Sequence, residues 1–395
     1  MDVNPPLWFR AGARPGAGVF AALFALESTA RAVLVTVVPL QAKDLLQQNE
    51  VISFVYAGVS LFSLGFGFVI PLLIHRLKRR WVYTGGIVLG AMAAITLATD
   101  SIPGQLAAML LRSMSSVACS IALMLYVMDF IPRQQMVRSE PLRLFMSCFA
   151  WGFGPWLGVE LYQRYGSSGA SAVSIVSYAI LLILFWYLRL SENPAVAAAT
   201  RPPPNPLSNL RRFLIQPRLL LGWLISFGRS AWWSMFFVYP ALYLRDFGID
   251  DSWSGKLAGA GNILLILTLP IGWLARRTGI RWPIVVAFWC AGLATVAIAV
   301  AYGAPPVVAG LILLGAVFVV VLDALGNIPF MRAVRAYERP QMTSVFRSYI
   351  DLGDLLPSAI YAVLLLHFDL KAVFIASGLM TFAVGIVALR LPRRM

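Results

Sequence analysis

Residues 305–330 read PPVVAGLILLGAVFVVVLDALGNIPF. A helix that crosses the hydrocarbon of a bilayer needs roughly 20 mainly apolar residues. This stretch supplies them with a single charge, Asp323. Eleven further runs of the same kind surround it, at 17–41, 51–74, 81–99, 104–130, 141–163, 170–190, 218–244, 253–275, 282–302, 342–366 and 371–390. Several hold a Gly, a Pro or a charge, which a span tolerates where neighbouring helices re-satisfy its backbone.

The composition agrees. Of the 395 residues 59% are hydrophobic and only 12% charged, with a mean hydropathy of +0.78. Soluble domains carry roughly 25% charged residues, so most of this surface is expected to face lipid. The net charge of +15 would suggest nucleic acid in a soluble chain. In a membrane chain it reads as topology, because Lys and Arg collect on the cytoplasmic side, and no nucleic-acid partner is expected. The three cysteines, Cys119, Cys148 and Cys290, lie in apolar runs without CxxC spacing, as buried apolar residues do. The two histidines, His75 and His367, sit at span ends, too few for a metal site or a Ser-His-Asp centre. No nucleotide, haem or Mg²⁺ motif is visible, so no cofactor and no enzymatic activity are expected.

Charge placement supports one sidedness. With the N-terminus assigned to the cytoplasm, 23 of the 32 Lys and Arg fall on that side, 5 on the other, and four arginines stay inside spans. A miscounted span would scramble this asymmetry. The expectation is a multi-pass protein of the bacterial inner (cytoplasmic) membrane with both termini cytoplasmic. Arg10 and Arg14 before an apolar run, with Ala30-Arg31-Ala32 as a possible cleavage site, imitate a signal peptide. The run resumes through Pro39, as a mature span would.

One long linker, 191–217, holds Pro202-Pro203-Pro204 and a stretch, Asn209–Ile215, with the pattern of a short interfacial helix. It separates a bundle at 1–190 from a bundle at 218–395. The two echo each other. LESTARAVLVTVVPLQAKDL (26–45) parallels FGRSAWWSMFFVYPALYLRDF (227–247), with Pro39 matching Pro240. The predicted fold class is therefore all-α integral membrane, with twelve transmembrane helices as two pseudosymmetric six-helix bundles. Such internal repeats suggest a transporter with its substrate site between the halves.

Three degenerate motifs resemble those of the major facilitator superfamily, over essentially the whole chain. The family's loop G-x-L-A-D-R-x-G-R-R appears as Pro71-Leu72-Leu73-Ile74-His75-Arg76-Leu77-Lys78-Arg79-Arg80, with His75 for the Asp and both glycines lost. A second copy, Gly272 to Arg281, keeps both glycines and has Arg276 at the acidic position. In the family this loop latches the halves through charge pairs. The resemblance implies that role for His75, Arg76, Arg79, Arg80, Arg276 and Arg277, while positive-inside sorting alone explains the same charges. Arg112-Ser113-Met114-Ser115-Ser116 resembles the family's R-x-x-Q-G. It implies an interior Arg112 that tunes a neighbouring carboxylate, beside the alternative of a structural Arg bonded to helix ends. Ala150 to Gly158, AWGFGPWLG, resembles the exporters' G-x-x-x-G-P-x-x-G, and ordinary small-residue packing is the alternative.

Charges buried in a bilayer are costly, so they mark function or tight pairing. Glu27 and Arg31 lie four apart on one helix face, as do Arg347 and Asp351, with Asp354 a turn further on. Each pair is either a static ion pair or part of a working site. Arg229 and Asp323 stand alone on their spans. In the resembled fold, the helices that carry these charges line or flank the central cavity. Asp323 and Asp354, lacking a same-helix cation, are the leading candidates for proton coupling, followed by Asp351 and Glu27. The buried cations are Arg31, Arg112, Arg229 and Arg347. Phe24, Trp151, Trp232, Trp233, Phe236 and Tyr239 either line the substrate cavity or pack in the bundle. The resulting expectation is proton-coupled efflux of a small molecule by a monomer in membrane lipid. A metabolite importer or lipid carrier of the same fold is the alternative within transport. A membrane-embedded enzyme or scaffold is the alternative outside it.

Overall fold

The computed structural model describes residues 16–46, 49–188, 206–249 and 252–392. Arg10, Arg14, the linker's Pro202-Pro203-Pro204, and Arg393 and Arg394 lie outside them. Every regular element among the described residues is helical. In chain order these are α1 (Ala17–Ala32), α2 (Val37–Leu46), α3 (Asn49–Leu77), α4 (Arg79–Leu97), α5 (Ile102–Phe130) and α6 (Met136–Tyr187). Then follow α7 (Pro206–Ile215), α8 (Pro217–Asp246), α9 (Ser252–Ile263), α10 (Thr268–Thr278), α11 (Arg281–Val300), α12 (Pro305–Leu325), α13 (Ile328–Ala333), α14 (Arg339–Leu365) and α15 (Lys371–Ala388).

Ten stretches are long and apolar enough to cross a membrane. One of them, within Arg133–Tyr187, leaves helical geometry at Gly166 (φ 67°), where it divides into two spans. α8 is a further long helix, 30 residues, in which Arg229 is the one charge between residues 219 and 244. The twelve-helix arrangement read from the sequence is thereby recovered. Proline explains the break in the first span. A proline ring clashes with the carbonyl four residues earlier and lacks an N–H. Pro39 thus disfavours a helix through Val35, and residues 33–36 form a turn between α1 and α2.

The chain clusters into two compact units. Unit 1 is Met1–Arg133, Met146–Phe213 and Val334–Arg347; unit 2 is Gln134–Phe145, Leu214–Ala333 and Ser348–Met395. In unit 1, α4 packs along α5, and α3 lies beside both. Val33, Leu34, Val37, Val38, Ala94, Leu97, Ala108, Met109 and Ala170 form a continuous buried cluster. Two amides cross this region: Gln41 donates to the Leu97 carbonyl (3.0 Å) and Gln105 to the Val38 carbonyl (2.8 Å). The small-residue stretch Ala150–Gly158 is a packing face. A Cβ on Gly158 would lie 1.9 Å from the Val33 carbonyl oxygen, and one on Gly154 would lie 2.7 Å from the Ala32 Cβ. In unit 2, α11 packs against α15 and α12, and α8 contacts α12, α13 and α15.

Candidate functional site

Five of the intramembrane charges gather into one cluster in each unit, Arg229 with Asp323 and Glu27 with Arg31 and Arg112. In unit 2, α8 carries Arg229 and, a turn later, Trp233; both reach Asp323 near the end of α12. Arg229 Nη1 stands 3.4 Å from Asp323 Oδ1, and Trp233 Nε1 donates to Asp323 Oδ2 at 2.9 Å. Arg229 Nη2 donates to the Tyr349 hydroxyl at 2.8 Å, with the guanidinium 5.3 Å from that ring's centre. The ion pair is largely shielded, its side chains 10% and 14% exposed. Glu140, buried and paired with Arg143 at 2.8 Å, adds a further negative potential at Arg229. Asp323 thus accepts a hydrogen bond at one carboxylate oxygen and faces the Arg229 guanidinium with the other.

In unit 1, Arg31 Nη1 lies 3.2 Å from Glu27 Oε1, one helical turn away on α1, and Glu27 is 1% exposed. The Arg31 guanidinium lies 6.0 Å from the Trp151 ring centre. Arg112 on α5 donates from Nη2 to the Arg31 backbone carbonyl at 3.4 Å. Tyr178 passes above Gly90, where a Cβ would stand 2.3 Å from the ring, which brings the Tyr178 hydroxyl to Ser115 and into the field of Glu27 and Arg31.

A third cluster, also in unit 1, was not anticipated. Asp129, buried at the end of α5, accepts from Arg79 through Oδ2 and from Arg339 through Oδ1. Arg79 also lies over the Tyr126 ring at 5.3 Å. The segment 334–347 belongs to this unit through further bonds: Arg133 Nη2 to the Val334 carbonyl (3.1 Å), Arg347 Nε to Ser120 Oγ (2.9 Å) and Ser344 Oγ to the Gly67 carbonyl. Negative charge at a helix C-terminus attracts cations, so the end of α5 reinforces Asp129. Of the loop residues singled out in the sequence, Arg79 is buried here, while His75, Arg76 and Arg80 are exposed. In unit 2, Arg276 and Arg277 are both exposed, and Arg277 stacks 3.9 Å from the Trp273 ring centre. The missing loop acid directed attention away from Asp129. Its signal in the sequence is an acid one residue before the end of an apolar run rather than at mid-span depth.

The remaining sequence candidates fall in several places. Asp354 is exposed on α14 beside Asp351, and its carbonyl accepts from Ser358. Trp232 is buried, donates to Thr295 Oγ1 at 2.9 Å, and rests over Gly315. Phe236 fills the space over Gly261, and Tyr239 meets Tyr361 edge-on at 5.2 Å. Phe24 and Trp151 are half-buried in unit 1.

The family model described as Major Facilitator Superfamily matches residues 20–356. Comparison with curated proteins found no match. Among solved structures, a bacterial homologue of the iron transporter ferroportin superposes with a TM-score of 0.78 at 16% identity, covering 95% of this chain and 98% of that one. The Escherichia coli fucose:proton symporter FucP gives 0.76 at 14%, with 94% and 97% covered. The human organic anion transporter MFSD10 gives 0.71 at 16%, with 97% and 100% covered. At these identities the likeness is one of fold.

Proposed function

Since the chain belongs to the major facilitator superfamily, and is thus a multi-pass secondary transporter of a small solute rather than an enzyme, we propose that it exports its solute in exchange for protons by alternating access. The proton site in this reading is Asp323. The observation that carries it is the arrangement around that carboxylate: Trp233 donates to one oxygen, Arg229 forms an ion pair with the other, and Arg229 has a second partner in Tyr349. Protonating Asp323 removes the charge that holds Arg229, whose guanidinium keeps Tyr349 and the potential of Glu140. A single proton can therefore release one cross-helix tie, from α8 to α12, without leaving Arg229 uncompensated. Asp354, next to another carboxylate, lacks such a partner set and ranks second, with Asp351 and Glu27 behind it.

In the same reading the cytoplasmic gate works through Asp129. The loop acid lost at His75 is replaced by an acid at the end of α5 that ties Arg79 to Arg339, a residue from the second half of the sequence. Both termini lie in the cytoplasm of a bacterial cell, and the working form is a monomer in membrane lipid.

The test is proton release from purified protein on addition of a solute panel, for the wild type and for Asp323→Asn and Asp354→Asn. The expected result is release that Asp323→Asn abolishes and Asp354→Asn retains. Loss only in Asp354→Asn moves the proton site to α14. Transport without proton release in any protein removes the coupling altogether. Everted vesicles settle direction, because export predicts solute uptake that dissipates an interior-acid gradient.

A further inference from the structure

The unit 1 cluster holds more positive than negative charge, and the surplus lies on one residue. Glu27 is engaged with Arg31. Among the described residues, no carboxylate pairs with Arg112; its hydrogen bond is to the Arg31 backbone carbonyl, at 3.4 Å, beyond the usual range for such bonds. The guanidinium of Arg31 is its strongest electrostatic neighbour, a like charge, followed by the hydroxyls of Tyr178 and Tyr56. Two guanidiniums therefore share one neighbourhood with a single acid, and their like charges repel. The cluster is also open on one side: Arg31 is 25% and Tyr56 37% exposed, and the flat face of Trp151 lies beside Arg31.

We infer that this cluster binds the transported solute, and that the solute is a small organic anion with a carboxylate or phosphonate head and an aromatic or apolar body. The head supplies the missing negative charge between Arg112 and Arg31. Both guanidiniums offer forked N–H donors that match a planar or tetrahedral oxyanion, and the Tyr178 and Tyr56 hydroxyls are near enough to the site to add neutral donors. The body of the solute lies against Trp151 and Tyr56. Glu27 positions Arg31 and prevents the site from carrying two uncompensated cations when empty. In the inside-negative field of a respiring cell, an anion is driven outward, in keeping with export. The inference rests on the transport reading above, and it adds the solute class and the residues that select it.

The experiment measures binding and movement separately, on the full chain. Binding is read as the rise in melting temperature of detergent-purified protein with benzoate, 1-naphthoate, phenylphosphonate, tetraphenylphosphonium and glucose. Movement is read as uptake of the same compounds into proteoliposomes. The expected result is that one or more of the three anions stabilises the protein while the cation and the sugar do not. Arg112→Gln should weaken that anion at least tenfold, Arg112→Lys should retain part of the affinity, and Glu27→Gln should strengthen it. Arg112→Lys keeps the charge and guards against a folding defect in the glutamine variant, whose unliganded melting temperature is measured alongside. If none of the anions binds, or if Arg112→Gln binds them as the wild type does, the anion assignment is overturned. Movement of tetraphenylphosphonium with Arg112 dispensable overturns it while leaving transport intact. Anions that bind through Arg112 yet never cross the membrane overturn the assignment of this solute class to transport and leave the proton-coupling reading to its own test.

Discussion

The two charge clusters solve the same problem in different ways. In unit 2 the arginine and its acid come from different helices, α8 and α12, and every charge meets an opposite charge or a hydrogen-bond donor. In unit 1 the acid shares a helix with its arginine, and a second arginine arrives from α5 without an acid of its own. A pair that spans two helices resists their movement until one member is neutralised. A pair within one helix moves with that helix and leaves its surroundings free to accept a ligand. In the functional reading proposed above, coupling falls to unit 2 and solute recognition to unit 1.

The sharpest way to break this comparison is to remove each arginine without adding charge. Arg229→Met strands Asp323 in a shielded site, and deleting one partner of a buried pair costs about 3–5 kcal/mol. Arg112→Met removes a cation with no acid to strand, so its cost should stay near about 1 kcal/mol, the worth of one hydrogen bond. Thermal unfolding in detergent compares the two. Equal losses would mean that Arg112 has a counter-charge after all.

A second comparison concerns close helix approaches. Gly158 meets backbone, the Val33 carbonyl, where a Cβ would stand at 1.9 Å; Gly353 on α14 meets a side chain, with the Ser230 Cβ at 2.6 Å. Overpacking costs about 1–3 kcal/mol. Gly158→Ala should fall at the upper end of that range and Gly353→Ala at the lower, because main chain yields less than a side chain. The order of the two melting temperatures checks it, and the reverse order would show unit 1 to be the more adaptable packing.

The smallest effect tests the paired loops. Lys78 has φ 66° and ψ 154°, and Gly279, its counterpart in the second loop, has φ 79° and ψ 172°. This region of backbone space is essentially reserved for glycine. Lys78→Gly should therefore stabilise the protein by about 1 kcal/mol, the strain relieved less the added freedom of the unfolded chain, while Gly279→Ala should destabilise it by a similar amount. If both substitutions destabilise, Lys78 contributes more through its side chain than its backbone loses.

Loss of the family glycine at position 78 was visible in the sequence, but not that the chain would keep the glycine's conformation there. The same holds for the acid. His75 at the acidic position made the gate look disabled, yet the loop's burial of Arg79 against Asp129 preserves a charge pair with a different acid. Trp232 and Phe236 are a different case: the sequence left cavity lining and bundle packing open, and in the structure they lie over Gly315 and Gly261.

The sequence by itself determined that the chain crosses a bilayer twelve times, that the crossings form two related sets, and that arginines and acids are set within them. Those properties are local or additive, since span length follows from hydrocarbon thickness and sidedness from the count of cations. Which charge meets which was decided only by the tertiary structure. Arg79 and Asp129 are 50 residues apart, Asp129 and Arg339 are 210 apart, and Trp233 reaches Asp323 across 90. Coulomb energy and hydrogen bonding fall off over a few ångströms, so these pairings depend on how the helices rotate and pack, which hydropathy along the chain does not encode.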